Sequence, residues 1–174
     1  MKYLIASDIH GSAYWCGRLM ERVEAERPDK ILILGDVLYH GPRNALPRDY
    51  DPKGVIAMLN PLAPAIVAVR GNCEAEVDQM VLDFPCMADY AEIVDPGGRT
   101  LWLTHGHLWN PGNLPPLQPG SAFLYGHTHV KVLEEVEGGV TVFNPGSVSI
   151  PKDGSHSFGV YENGRFRLEL LEEG

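Results

Sequence analysis

Seven side chains that bind metal ions well are spread through this chain in short polar clusters: Asp8 and His10, Asp36, Asn72, His105, and His127 with His129. Each cluster closes a run of apolar residues, as in Ile31-Leu32-Ile33-Leu34-Gly35-Asp36. A carboxylate there has two accounts. It caps the next helix, the commoner case, or it binds a ligand beyond the carboxyl end of a sheet. Asp36 alone leaves both open. A single Asp-x-His is more often a cap or a surface pair, and a single His-x-His is more often solvated than ligating. Taken together, the bland reading needs five separate coincidences, each at the polar end of a strand, and the metal reading prevails. Residues two apart in extended chain point the same way, roughly 6–7 Å apart, so each pair can present two ligands to one pocket. Seven oxygen and nitrogen donors exceed the needs of one tetrahedral ion, and no cysteine pair suggests structural zinc. They suit two ions about 3.5–4 Å apart that share a bridging carboxylate.

The elements that must position these donors are legible as patterns. Tyr3 to Ala6 reads as a strand, and Ser12 as the N-cap of a helix running to about Glu26, with Leu19, Met20 and Val23 on its apolar stripe. Pro28 ends it, and the four branched residues from Ile31 to Leu34 form a strand covered on both faces. This β-α-β unit makes its two strands parallel neighbours with their carboxyl ends on one edge. A long loop, His40 through Pro52, has the turn-rich composition of a functional segment. Then come a helix from Lys53 to Leu59, a strand from Ala65 to Val69, and a short helix carrying Val77, Met80 and Val81. After Pro85 the texture becomes short strands: Ile93-Val94, Thr100 to Leu103, Ala122 to Tyr125, and hairpins at Gly138-Gly139 and Asn163-Gly164. Two sheets face to face with helices outside are expected.

Bulk properties exclude several functions. The 174 residues are the length of one domain, 1–174, with 44% hydrophobic and 21% charged residues. A net charge of −9 without a basic run argues against extended nucleic-acid binding. The polar residues arriving by Ser7-Asp8 leave no signal peptide or membrane span at the N-terminus. Three scattered cysteines, Cys16, Cys73 and Cys86, point to a reducing cytoplasm.

Asp8-Ile9-His10, Gly35-Asp36, Gly71-Asn72, His105-Gly106-His107 and Gly126-His127-Thr128-His129, in this order, resemble the motif set of the calcineurin-like metallophosphoesterases. The likeness runs from Lys2 to about Pro151. The loop from Gly35 to Asn44, with Arg70-Gly71-Asn72-Cys73 and the segment from Asn144 to Pro151, resembles the small bacterial phosphodiesterases of the YfcE type. The resemblance implies an α/β fold, a four-layer α-β-β-α sandwich of two facing mixed sheets. It also implies two divalent ions, Mn²⁺ as the usual choice with Zn²⁺, Fe²⁺ or Ni²⁺ as alternatives. By motif, one ion takes Asp8, His10 and His129, the other Asn72, His105 and His127, and Asp36 bridges them. A hydroxide held between the ions would then attack a small phosphodiester.

Asn72, itself one of these ligands, and Cys73 next to it are the catalytic candidates. Where much of the superfamily has histidine after the Gly-Asn pair, this chain has Cys73. A thiol, with an ordinary pKa near ~8.5, is a poorer acid for the leaving oxygen at neutral pH; the equal alternative is that Cys73 fills space beside the phosphate. Tyr39, His40 and Arg43 in the long loop are candidate substrate contacts, with Cys73 and His107; His107 either orients a ligand or sits at the rim. Trp102 and Leu103 are expected in the core, Trp109 in a loop or rim, and His156 at the surface. The rival functions are a phosphomonoesterase or nuclease on the same centre and a non-catalytic protein-binding scaffold of the same fold. Self-association into a homo-oligomer is a further expectation from relatives of this size.

Overall fold

A computed structural model describes residues 1–174. The first half alternates strand and helix: β1 (Lys2–Ala6), α1 (Ala13–Glu26), β2 (Lys30–Ile33), α2 (Pro52–Leu59), a 3₁₀ turn (Asn60–Ala65), β3 (Ile66–Ala68) and α3 (Glu76–Val81). Strands make up the rest: β4 (Tyr90–Val94), β5 (Thr100–Thr104), β6 (Ala122–Leu124), β7 (Lys131–Val136), β8 (Val140–Pro145), β9 (Ser157–Glu162) and β10 (Arg165–Leu170). They form two mixed five-stranded sheets, ordered β10-β9-β1-β2-β3 and β4-β5-β6-β8-β7. Within each lies a parallel trio, β1-β2-β3 in the first and β5-β6-β8 in the second. The carboxyl ends of both trios are where the polar clusters begin. The two facing mixed sheets are the metallophosphoesterase sandwich that the motifs imply, but of the expected α-β-β-α order the second helical layer is absent, since every helix precedes β4 in the chain.

Local chemistry explains the helical layer. Ser12 Oγ accepts from the Trp15 amide as N-cap of α1, and the helix stops where Arg27 turns left-handed, its N–H donating back to Val23. Trp15, Cys16 and Leu19 on its inner face join Val55 and Leu59 of α2 against Leu4, Ala6, Ile31 and Ile33 of the first sheet. The long loop after β2 is pinned to the start of α1: Ser12 Oγ donates to Arg48 O (2.6 Å) and the Asp51 amide to Gly11 O (2.8 Å).

Between the sheets, Tyr3, Ile5, Leu32 and Leu34 pack on Leu101, Leu103, Leu124 and Phe143. Gly159 of β9 is required there, because a Cβ on it would fall 2.4 Å from the Phe143 ring. The outer face of the second sheet is covered by irregular chain rather than a helix. Trp109, Leu114 and Leu117 from the segment between β5 and β6 lie over Trp102, Phe123 and Tyr125, and Trp102 stacks between Tyr90 (5.1 Å) and Phe123 (5.6 Å).

One local expectation needs correction, and one expected helix has an unusual facing. His156 is half-buried, its ring stacked on Trp15 at 3.5 Å and its Nδ1 donating to Val148 O, because the loop after β8 folds back onto α1. In α3 the apolar residues face outward, with Met80 81% exposed, while Asp78 turns in to accept from the Ala75 amide and close the first turn. No helix is long and apolar enough to cross a membrane.

Candidate metal centre

The donors leave their strands in tight turns, not in extended chain. Asp8 (φ 57°), His10 (47°), Asp36 (55°), His127 (65°) and His129 (59°) all adopt left-handed backbone. Side chains are uncommon there, and such residues cluster at functional sites. Pairing by extended spacing is thus the wrong reason for a convergence that does occur. The turns come close enough to exclude side chains: a Cβ on Gly126 would sit 1.9 Å from Ser7 Oγ and 2.9 Å from Asp8 Oδ2.

Each carboxylate spends one oxygen on the scaffold and aims the other inward. Asp8 Oδ2 accepts from Ser7 Oγ (2.6 Å) and from the His127 amide (3.0 Å). Its Oδ1, fully buried, has no hydrogen-bond partner and faces His129 Nε2 (3.1 Å) and His10 Nε2 (3.5 Å). Asp36 Oδ1 accepts from the Cys73 amide (2.9 Å), while Oδ2 faces His105 Nε2 (3.4 Å) and His10 Nε2 (3.7 Å).

The imidazoles are held the same way. Nδ1 of His10, His105 and His129 lies 2.8, 2.6 and 2.6 Å from the carbonyl oxygens of Tyr39, Leu34 and Ile150. A carbonyl only accepts, so Nδ1 carries the hydrogen and the neutral ring turns a lone pair on Nε2 toward the centre. His10 Nε2 and His129 Nε2 then meet at 3.3 Å, and His105 Nε2 meets Asn72 Oδ1 at 3.1 Å. Two lone pairs so placed repel unless a proton or a cation lies between them. The His127 ring, half-buried, is 5.1 Å from that of His105. Asp8, His10 and His129 form one mutually close triad, and Asp8, Asp36 and His105 another.

Electrostatics carries the same demand for positive charge. Burial would raise the Asp8 carboxyl, yet the imidazoles of His10 and His129 crowded against it hold it well below the usual carboxylate range. Burial would lower His105, but Asp36 and Asp8 lift it to about 9. Burial and the charge of Asp36 push the Cys73 thiol up. The orphaned Asp8 oxygen and the facing lone pairs suit divalent cations, which satisfy acceptors without donating protons.

All seven motif donors therefore reach one edge between the sheets. Asp36, Asn72, His127 and His129 line an open cleft of about 570 Å³, and Asp8, His10 and His105 lie beneath it. Of the proposed substrate contacts, Arg43 lines this cleft and Tyr39 and Cys73 an adjoining one. His40 lies behind Tyr39, its ring edge-on to Tyr50 at 5.2 Å, and His107 stands 5.5 Å from the His105 ring; neither is among the cleft-lining side chains.

Three contributors escape sequence reasoning. Glu74, half-buried, accepts from the amides of Asp36 (2.9 Å), Val37 (2.7 Å) and Gly71, tying the turns after β2 and β3 together. Asn144 donates to Gly126 O (2.9 Å) and Thr128 Oγ1 (3.0 Å), bracing the His127-His129 turn. Lys152 lines the cleft. A carboxylate two residues past Asn72 was the one available signal for Glu74.

Comparisons agree with this architecture. Residues 1–164 match the family model of the calcineurin-like phosphoesterase superfamily domain. Phosphodiesterase YfcE of Escherichia coli K12 is 49% identical over 164 residues, 94% of this chain and 88% of that protein. A solved structure of YfcE, described as a phosphoesterase from E. coli, superposes with a TM-score of 0.91 at 43% identity, covering 99% of this chain and 100% of that one. An archaeal phosphodiesterase shares the fold, with a TM-score of 0.70 at 23% identity over 98% of this chain and 100% of that one.

Proposed function

This chain belongs to the calcineurin-like phosphoesterase superfamily, and from that membership we propose that it is a phosphodiesterase acting on small phosphodiesters at a pair of divalent cations. Asp8, His10 and His129 would hold one cation and Asn72, His105 and His127 the other, with Asp36 shared. Cations held there would supply positive charge to the phosphoryl oxygens and would lower the pKa of a water for attack. Mn²⁺ is the proposed ion and the cytoplasm the proposed compartment.

The chain's own residues do the rest. The carbonyl-locked imidazoles and the scaffold-bound carboxylate oxygens fix the donors before substrate arrives, so little reorganisation accompanies the reaction. Arg43, at the cleft wall, neutralises a non-bridging phosphoryl oxygen. Cys73 stands against the shared carboxylate, its amide donating to Asp36 Oδ1, and lines the adjoining cleft. The cleft's modest size and the net charge of −9 favour a small ester over a polynucleotide.

The observation that carries this reading is the set of inward-facing acceptors without donors, centred on Asp8 Oδ1 and the Nε2 atoms of His10 and His129. Its test is turnover of a bis-aryl phosphate and of the matching aryl monoester, with Mn²⁺ and after chelation. Diester turnover that chelation abolishes and Mn²⁺ restores is expected, with Asp36→Asn losing at least about 100-fold in kcat/KM. Chelator-insensitive turnover, or a clear preference for the monoester, would refute it.

A further inference from the structure

Two clefts meet at the centre and share a wall. The first leads from Asp36 and Asn72 past Thr128 to Lys152 and has no apolar side chain along it. The second, about 440 Å³, opens beyond Asn72 and is bounded by Tyr39, Pro42, Cys73 and Ala75. Arg43, Asn44 and Asn72 belong to both. A phosphodiester has one phosphorus and two ester arms. A phosphate seated at the shared wall therefore sends one arm into each cleft.

The two clefts differ in chemistry. Lys152 is anchored through its amide, which donates to His129 O at 3.0 Å, so its side chain starts from a residue of the centre. The carboxylate next to it in sequence, Asp153, is engaged by Lys131 Nζ at 2.7 Å, which leaves the Lys152 ammonium for an incoming anion. On the other side, Tyr39 is 42% exposed, and its ring is braced edge-to-face by His40 (4.7 Å), itself packed on Tyr50. A braced, exposed ring beside Pro42 is a platform for a flat apolar group.

Building on the phosphodiesterase reading, we infer that the substrate is an unsymmetrical diester. An aryl or similarly flat arm lies along Tyr39 and Pro42, and the opposite arm carries a further anionic group received by Lys152. Lys152 and Tyr39 are then the specificity-determining residues of the site.

The test uses the Mn²⁺-loaded chain and aryl phosphodiesters whose second arm is an uncharged alkyl group or the same group ending in a carboxylate. The charged arm is expected to raise kcat/KM about fivefold, the scale of one partly exposed ion pair. That preference shrinks as salt is added, disappears in Lys152→Ala and persists in Lys152→Arg. Tyr39→Ser raises KM for both esters about 3- to 10-fold while the carboxylate preference survives. Equal kcat/KM for the two arms, a preference indifferent to salt, or one that outlives Lys152→Ala overturns the inference and leaves the phosphodiesterase standing. No turnover of either ester overturns that reading too.

Discussion

The two sheets solve one problem by different means. Each carries three parallel strands whose carboxyl ends meet at the same edge, β1-β2-β3 in one and β5-β6-β8 in the other. The first sheet contributes both carboxylates with His10 and Asn72; the second contributes His105, His127 and His129. The first is backed by helices, the second by irregular chain around Trp109, Leu114 and Leu117. What the centre requires is the shared edge, whatever crosses behind it. Neither sheet is sufficient alone, because Asp8 needs His129 and Asp36 needs His105. The centre is a seam, and holding the sheets in register is part of its function.

If the second sheet depends on buried pegs where the first has Glu74, Asn144→Ala is the variant that damages it most. Removing its bonds to Gly126 and Thr128 frees the His127-His129 turn, and Mn²⁺ affinity by titration should fall about 10- to 100-fold. A loss below about threefold would mean the turn holds itself and the sheets are not alike. The outer layers come next. Leu19→Ala, in the helical layer, should cost about 2–5 kcal/mol of stability. Trp109→Ala, in the irregular layer, should cost about 1–3 kcal/mol, because its ring is only partly buried. Chemical denaturation measures both, and equal losses would erase the distinction between the layers.

The smallest effect lies at the far edge, where Tyr161 of β9 donates to Asp95 Oδ2 (2.5 Å) across the sheets. Burial and Asp95 raise Tyr161 to about 12, and the Tyr161 hydroxyl holds Asp95 below its ordinary value. The raised tyrosine contributes stability below its unfolded pKa of ~10 that is lost as pH rises through about 12. The lowered carboxyl contributes above ~3.9, and that share is lost as pH falls through its folded value. Tyr161→Phe should therefore cost about 1 kcal/mol on a plateau between roughly pH 5 and 9, the gap narrowing on both sides, with turnover unchanged. A gap that ignores pH would detach this pin from the registration of the sheets.

Much of this was readable in advance, for physical reasons that differ by region. In the first half, apolar runs ending in Gly35-Asp36 and a capped helix after Ser12 specify β-α-β units and the edge they share. In the second, individual strands were legible but the parallel pairing of β5 with β6 was not, since a parallel connection is usually betrayed by a helical pattern. The donors stood out because carboxylates and imidazoles at the ends of dry strands are costly without a task. Lys152 left no trace, because an exposed lysine in a turn looks like any other. His40 and His107 carried the right chemistry, but their placement behind and beside the walls depends on packing that no spacing encodes.

The left-handed turns at Asp8, His10, Asp36, His127 and His129 have a practical corollary. Five side chains sit where the peptide resists being, so their aim belongs to the loops more than to the strands. Anyone grafting this constellation onto another scaffold would have to carry over whole loops, with Gly126 and the carbonyls that orient the rings. Copying the seven identities at matched Cα positions would give a surface that resembles the centre and binds nothing.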